Sequence, residues 1–223
     1  MASNTDAVTI ITKASQLLGD ASQTYWLTTE LLGWLNDGQL EIATIIPTSN
    51  NVTLSKQLVA GAKQSAPSDS IRIIEFVRNM GSDGLTAGNA IRQIERKTLS
   101  RFYPNWGTDT AVNTVIHAMY DAEDNNGVFY VWPPQPAVTP SFIELIYAQI
   151  PVLIANVNVG TKITVADYYQ NVLLNYILFR ALSRSTEDAD HYQRSQNYLS
   201  LFKDELGIKV VSDNNANNDQ VKQ

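Results

Sequence analysis

Between Thr28 and Pro47 the apolar residues Leu31, Leu35, Ile42, Ile45 and Ile46 recur near helical spacing, which predicts an amphipathic helix whose apolar face needs a packing partner. Thr28 stands where an N-cap belongs, Glu30 puts an anion in the first turn, and Pro47 marks the far end. Asn36-Asp37-Gly38 inside this stretch is a hairpin-like triplet. Its flank Leu31-Leu32-Gly33-Trp34-Leu35 does not alternate, and the stripe continues past Gly38, so one helix is the better reading at a glycine cost of about 1 kcal/mol. Gly33 and Gly38 leave room for another backbone to approach. Asn36, Asp37 and Gln39 form a polar edge suited to bracing loops or meeting a neighbouring subunit. Ahead of it, a helix capped by Asn4 or Thr5 runs to Gly19 with Val8, Ile11, Leu17 and Leu18 inward, and Tyr25, Trp26 and Leu27 are expected in the core.

After Pro47 the period changes to short apolar runs punctuated by Gly, Pro, Asn and Asp, the pattern of a β-rich segment. Strands are expected at Leu54–Ala60, Ile71–Val77, Ala90–Glu95, Val115–Asp121, Val128–Trp132 and Phe142–Ala148. The fourth and fifth of these read as a hairpin around Asn125-Asn126-Gly127, ending where Pro133-Pro134 offers no N–H to a ladder. Lys97 to Tyr103 reads as a short helix closed by Pro104, with Trp106 folding back on the sheet. From Thr164 the helical period returns in a largely apolar helix through Arg184, with Val172, Leu173, Leu174, Tyr176, Ile177, Leu178 and Phe179 expected to be wrapped by other helices. Ser185 or Thr186 caps a last helix, Gly207 closes it, and Tyr192, Leu199, Phe202 and Leu206 share its inner face. Ser212 to Gln223 is polar, with a single large aliphatic residue, and is expected to be a flexible arm. The fold class is therefore α+β: a helical bundle of N-terminal helices (1–47) and a C-terminal helical hairpin (164–207), a β-rich insertion (48–163) and an arm (208–223).

Composition narrows function mainly by exclusion. The chain of 223 residues has no cysteine, which removes disulfides and thiolate metal sites. Its start resembles no signal peptide and no apolar run spans a bilayer, so no membrane partner is expected. The formal charge of −6 opposes adhesion to a phosphate backbone. His117 and His191 sit in no ligand spacing, and Asp121, Glu123 and Asp124 lack the order of a calcium loop, so neither metal nor other cofactor is expected. Gly81-Ser82-Asp83-Gly84 forms no phosphate-binding fingerprint. Arg92, Arg96, Lys97 and Arg101 make one basic cluster, better read as a solvated or partner-facing surface than as a phosphate site. No catalytic constellation emerges.

Several pieces taken in order resemble the head-to-tail adaptor (connector) proteins of short-tailed bacteriophages. They are Glu30-Leu31-Leu32-Gly33-Trp34-Leu35-Asn36-Asp37-Gly38-Gln39, Leu58-Val59-Ala60-Gly61-Ala62-Lys63-Gln64 with Pro67, Val77-Arg78-Asn79, and Leu99 with Tyr103-Pro104-Asn105-Trp106. Tyr130-Val131-Trp132-Pro133-Pro134, Glu144-Leu145-Ile146-Tyr147-Ala148 before Pro151, and Ala181-Leu182 continue the series. Gly38 stands where a better helix former such as Ala would be expected.

The resemblance implies a virion protein made in the host bacterial cytoplasm. It implies a ring, expected to be a dodecamer, that docks on the portal protein, extends the DNA channel without specifically binding the passing duplex, and offers a platform to the tail nozzle or tube. Ile208, Val210, Val211 and Val221 are then the expected apolar contacts of the arm to the portal. The competing readings are another tail-completion or tube protein, and a carboxylate-based glycan hydrolase.

Overall fold

The computed structural model describes residues 4–122, 127–184 and 189–220. In chain order the elements are α1 (Ala7–Leu17), α2 (Thr28–Ile45), β1 (Asn51–Gln57), β2 (Gly61–Ser65), β3 (Ser70–Asn79) and β4 (Arg92–Gln93). Then follow α3 (Arg96–Phe102), β5 (His117–Met119), β6 (Val128–Gln135), β7 (Phe142–Gln149), α4 (Gln170–Arg184) and α5 (Ala189–Gln220). The chain is α+β and divides into two compact units, Met1–Asn50 with Pro151–Gln223, and Asn51–Ile150.

In the helical unit α4 packs against α1, α2 and α5. The core joins Ile10 and Ile11 of α1, Leu31, Leu35 and Ile42 of α2, Leu173 and Ile177 of α4, and Phe202 and Leu206 of α5. Gly38 lies against α4, where the side chains of Tyr176 and Leu173, rather than a backbone, occupy the space a methyl would take. The N-cap of α2 is Leu27, not Thr28, which is the first helical residue and donates its hydroxyl to Gln23 Oε1. The reason is upstream: Asp20 accepts the N–H groups of Thr24 (3.0 Å), Tyr25 and Trp26 (both 2.8 Å), so the helix entry is folded by a loop aspartate. Of the three aromatic or apolar residues ahead of α2, only Trp26 is buried, while Tyr25 and Leu27 are exposed. Ile45 likewise turns to solvent, and Leu17 does so on α1, because the buried faces are narrower than the apolar pattern.

Neither Asn4 nor Thr5 caps α1. Its N-cap is Asp6, and the amides of Asn4 and Thr5 donate instead to the Asp167 carboxylate, 2.9 and 2.8 Å to Oδ1. A turn over Asp167–Tyr169 precedes α4, so the regular helix starts at Gln170 rather than Thr164, and Leu174, Tyr176 and Phe179 are half-buried. The expected caps Ser185 and Thr186 lie outside the described residues. Gly207 does not end α5, whose backbone is helical through Gln220. Just beyond it, Lys209 Nζ donates to the Tyr168 carbonyl, tying the next turn to the one before α4.

The second unit holds two sheets of order β1-β7-β3 and β2-β6-β5-β4, antiparallel except for the β4–β5 pair. Its core joins Phe76 of β3, Phe129 and Val131 of β6, and Ile143 and Leu145 of β7. Buried amide side chains displace several strand ends. Gln64 bonds both the N–H (2.8 Å) and the C=O (2.7 Å) of Val59 and the C=O of Gly61 (3.0 Å), so the expected strand through Ala60 turns early and β2 follows. Asn79 similarly brackets Val115, accepting its N–H at 2.8 Å and donating to its C=O at 2.9 Å, which delays β5 to His117.

The expected strand Ala90–Glu95 is split between sheets. Ile91 N–H bonds Val77 C=O on β3 (3.2 Å), whereas Arg92 N–H bonds Ile116 C=O beside β5 (3.1 Å), leaving a two-residue β4. β6 does not stop before its prolines. Pro134 accepts from Val112 N–H at 2.9 Å, and the β2–β6 register shifts across the two prolines, from Lys63 opposite Tyr130 to Gly61 opposite Gln135, so β6 reaches Gln135 without a donor from either. The β5–β6 hairpin pairs Ala118 with Val131, while Asn125 and Asn126 of its expected turn lie outside the described residues.

Candidate interaction surfaces

The polar edge of α2 works on a loop more than a hundred residues away. Asn36 Nδ2 donates to Ile154 C=O at 3.0 Å while its Oδ1 accepts Ile154 N–H at 3.1 Å, so one amide completes both hydrogen bonds of one peptide residue. One turn on, Gln39 Oε1 accepts Thr164 N–H at 2.6 Å from a fully buried position. Asp37 points away from this clamp and is exposed. From the other side, Ala7 N–H bonds Thr161 C=O (2.8 Å), Ile163 N–H bonds Thr5 C=O (3.1 Å), and Lys162 pairs with Asp6 at 2.8 Å. The loop so held leaves Val152, Leu153 and Val159 exposed and lines a shallow cleft of about 350 Å³ with Ile154, Asn158 and Thr161. Apolar side chains on a firmly anchored loop form a surface that requires little ordering to meet a partner.

On α5, residues 208, 210 and 211 lie on the helical backbone after Gly207; the side chains of Ile208, Val210 and Val211 and the whole of Val221 are outside what the structure describes. The Lys209 ammonium sits 4.5 Å from the Tyr169 ring centre and 5.3 Å from that of Tyr168. Burial pushes its pKa down, against the opposing charge of Glu205.

The sheet unit carries a face the sequence reading missed. Arg92, His117 and Trp132 stand in register across β4, β5 and β6, and Lys63 pairs opposite Tyr130. The His117 ring stacks on Trp132 at 5.6 Å and 20°, Tyr103 meets Trp132 edge-on at 6.0 Å, and Trp106 meets Tyr130 at 5.7 Å. Arg96 lies over Tyr130 at 5.4 Å, and Trp132 Nε1 donates to Asp109 at 3.2 Å. The density of aromatics between Phe102 and Trp106 next to four basic residues was the available signal, but only the sheet register brings them onto one face.

Chemistry is sparse elsewhere. Among the described residues no group of three or more His, Asp or Glu side chains is placed to hold a metal ion. The Gly81–Gly84 loop is closed on itself: Asp83 accepts from Leu85 N–H (2.9 Å), Thr86 N–H (3.0 Å) and Thr86 Oγ1 (2.8 Å), which holds its pKa down to about 2. Its carboxylate is thus committed to the turn.

The family model described as SU10 adaptor protein matches residues 5–222. The chain belongs to the SU10 adaptor family. That match covers both units and nearly the whole chain, and it bears out the resemblance to phage adaptor proteins. The SU10 adaptor family is one of structural phage proteins, virion components that meet portal and tail parts. No curated protein matches the chain. No helix among the described residues is long and apolar enough to cross a membrane.

Proposed function

We propose that this SU10 adaptor family protein forms a ring, expected to be a dodecamer, on the portal protein at the head-to-tail vertex of a phage particle. The ring extends the DNA channel and is the platform on which the tail nozzle or tube assembles. The observation that carries this reading is the family match over residues 5–222. In this reading the N-terminal helices and the α4–α5 hairpin form a bundle (1–47 and 164–207), residues 48–163 are its β-rich insertion, and residues 208–223 are the portal arm. Ile208, Val210, Val211 and Val221 supply the arm's apolar contacts to the portal. Asn36 and Gln39 brace the loop at Ile154 and Thr164, while Asp37 faces the neighbouring subunit. Double-stranded DNA passes without specific binding because 22 acidic residues outnumber 16 basic ones.

Cryo-microscopy of the protein mixed with its portal tests the reading, with a ring of density on the portal as the expected result. Failure of the full chain to bind the portal overturns it. Deleting Ser212–Gln223, which removes Val221 and the polar part of the arm but keeps Ile208, Val210 and Val211, should weaken portal binding while leaving the far-ultraviolet spectrum of the remaining helices intact; unchanged binding removes that segment from the mechanism.

A further inference from the structure

We infer that α3 and the aromatic residues beside it form one half of a subunit–subunit interface, whose other half is the outward stripe of α2 on a second copy of this chain. The inference rests on the ring reading above and adds the two surfaces that meet.

Helix α3 buries none of its seven residues, and Phe102 at its end is 79% exposed. A helix this short is marginal in water and ordinarily depends on a packed face. Here it is held by the Arg96 contact to Tyr130 and by Trp106 Nε1 donating to Ser100 Oγ at 3.0 Å. Arg96, Lys97 and Arg101 are exposed and make no ion pair among the described residues. Trp, Tyr and Arg are the side chains that dominate binding energy at protein interfaces, and this face concentrates them around an exposed phenylalanine.

The matching surface is on α2. Leu40 and Glu41 lie three and four residues after Asp37, and Ile45 four after Glu41, so they share one face, and all four are exposed. Asp37 and Glu41 make no ion pair among the described residues. Acid and aliphatic alternate there as base and aromatic do around α3. The acidic excess lies mainly in the unit that carries α2: residues 1–50 with 151–223 have eight Lys/Arg against thirteen Asp/Glu, whereas residues 51–150 are nearly balanced at eight against nine. Two unlike patches on one chain make a head-to-tail contact, the kind that closes into rings, whereas a single self-complementary patch gives a dimer. Duplex DNA fits the α3 face less well, because Glu95 and Asp109 stand among its cations and would repel phosphates.

Because the chain has no cysteine, the contact can be trapped without background. A full-length Leu40→Cys/Phe102→Cys variant, oxidised with and without portal protein, should give a ladder of disulfide-linked oligomers at least tenfold stronger than a Leu17→Cys/Phe102→Cys control. Adding Arg96→Glu/Arg101→Glu should reduce the ladder at least tenfold, and adding Asp37→Arg/Glu41→Arg to that variant should restore it. A ladder no stronger than the control, or no restoration by the second charge reversal, overturns the inference. A ring on the portal without the ladder removes this interface and keeps the ring, whereas a ladder without portal binding keeps the interface and removes the portal reading. Salt-sensitive duplex retention that disappears with Arg96→Glu/Arg101→Glu, in the absence of a ladder, assigns the face to nucleic acid and also overturns the inference.

Discussion

Alanine at Gly33 and alanine at Gly38 add the same methyl to the same helix in two environments, and the two variants should move stability in opposite directions. Each removes the conformational cost of a glycine inside α2, a gain of about 1 kcal/mol. At Gly33 nothing lies within 4 Å of the new methyl, so the gain is kept. At Gly38 it would lie 3.0 Å from Tyr176 Cδ1 and 3.2 Å from Leu173 Cδ2. Leu173 is fully buried, and the Tyr176 ring is backed by Phe202 at 5.2 Å and flanked by Phe179 at 6.1 Å, so neither neighbour can retreat freely. Overpacking of this kind costs about 2 kcal/mol, which outweighs the propensity gain and leaves Gly38→Ala about 1 kcal/mol less stable than the parent. The two alanine variants should therefore differ by about 2 kcal/mol in urea unfolding followed by far-ultraviolet circular dichroism, with Gly33→Ala the more stable. Equal stability, or Gly38→Ala above Gly33→Ala, would refute the claim that α4 closes on α2 at this glycine.

Asn36→Ala removes both hydrogen bonds to Ile154 and should cost about 2 kcal/mol, with faster amide exchange at Ile154; a loss below about 0.5 kcal/mol with unchanged exchange contradicts the clamp. Gly84 combines φ +73° with a methyl position 2.9 Å from Phe142 Cδ1, so Gly84→Ala should lower thermal stability of the sheet unit by about 3 kcal/mol, and a neutral result by calorimetry would rule this packing out. The Asp83 carboxyl, depressed from an ordinary 3.8 to about 2, contributes stability that is fully present above pH 3.8 and is lost as pH falls toward 2. Its carboxyl carbon should titrate by NMR near pH 2 in the parent and near its ordinary value when Thr86→Val and unfolding urea release the turn; a parent midpoint near 3.8 refutes the hydrogen-bonded geometry.

Periodicity and family resemblance alone determined that α2 and α4 are helices, that β3, β6 and β7 are strands, and that the chain is an α+β phage adaptor. These are properties of near neighbours: Leu31, Leu35 and Ile42 repeat at helical spacing whatever they pack on, and the runs at Phe129–Val131 and Ile143–Leu145 favour extended chain on their own. The tertiary structure decided what long-range partners decide. Thr28 had the chemistry of a cap, but Asp20 folds the loop ahead of it and moves the cap to Leu27. Gly207 had the chemistry of a helix end, but only a stop requires its left-handed freedom, and with Lys209 anchored on Tyr168 the helix runs on.

The same division holds for the surfaces. Asn36 and Gln39 stood out as a polar edge, yet Ile154, 118 positions from Asn36, is chosen as partner only by the packing of the loop onto α2. The basic cluster Arg92 to Arg101 was legible as charge. Its alliance with Tyr103, Trp106, Tyr130 and Trp132 was not, because cross-strand register, which no local pattern encodes, sets which side chains share a face.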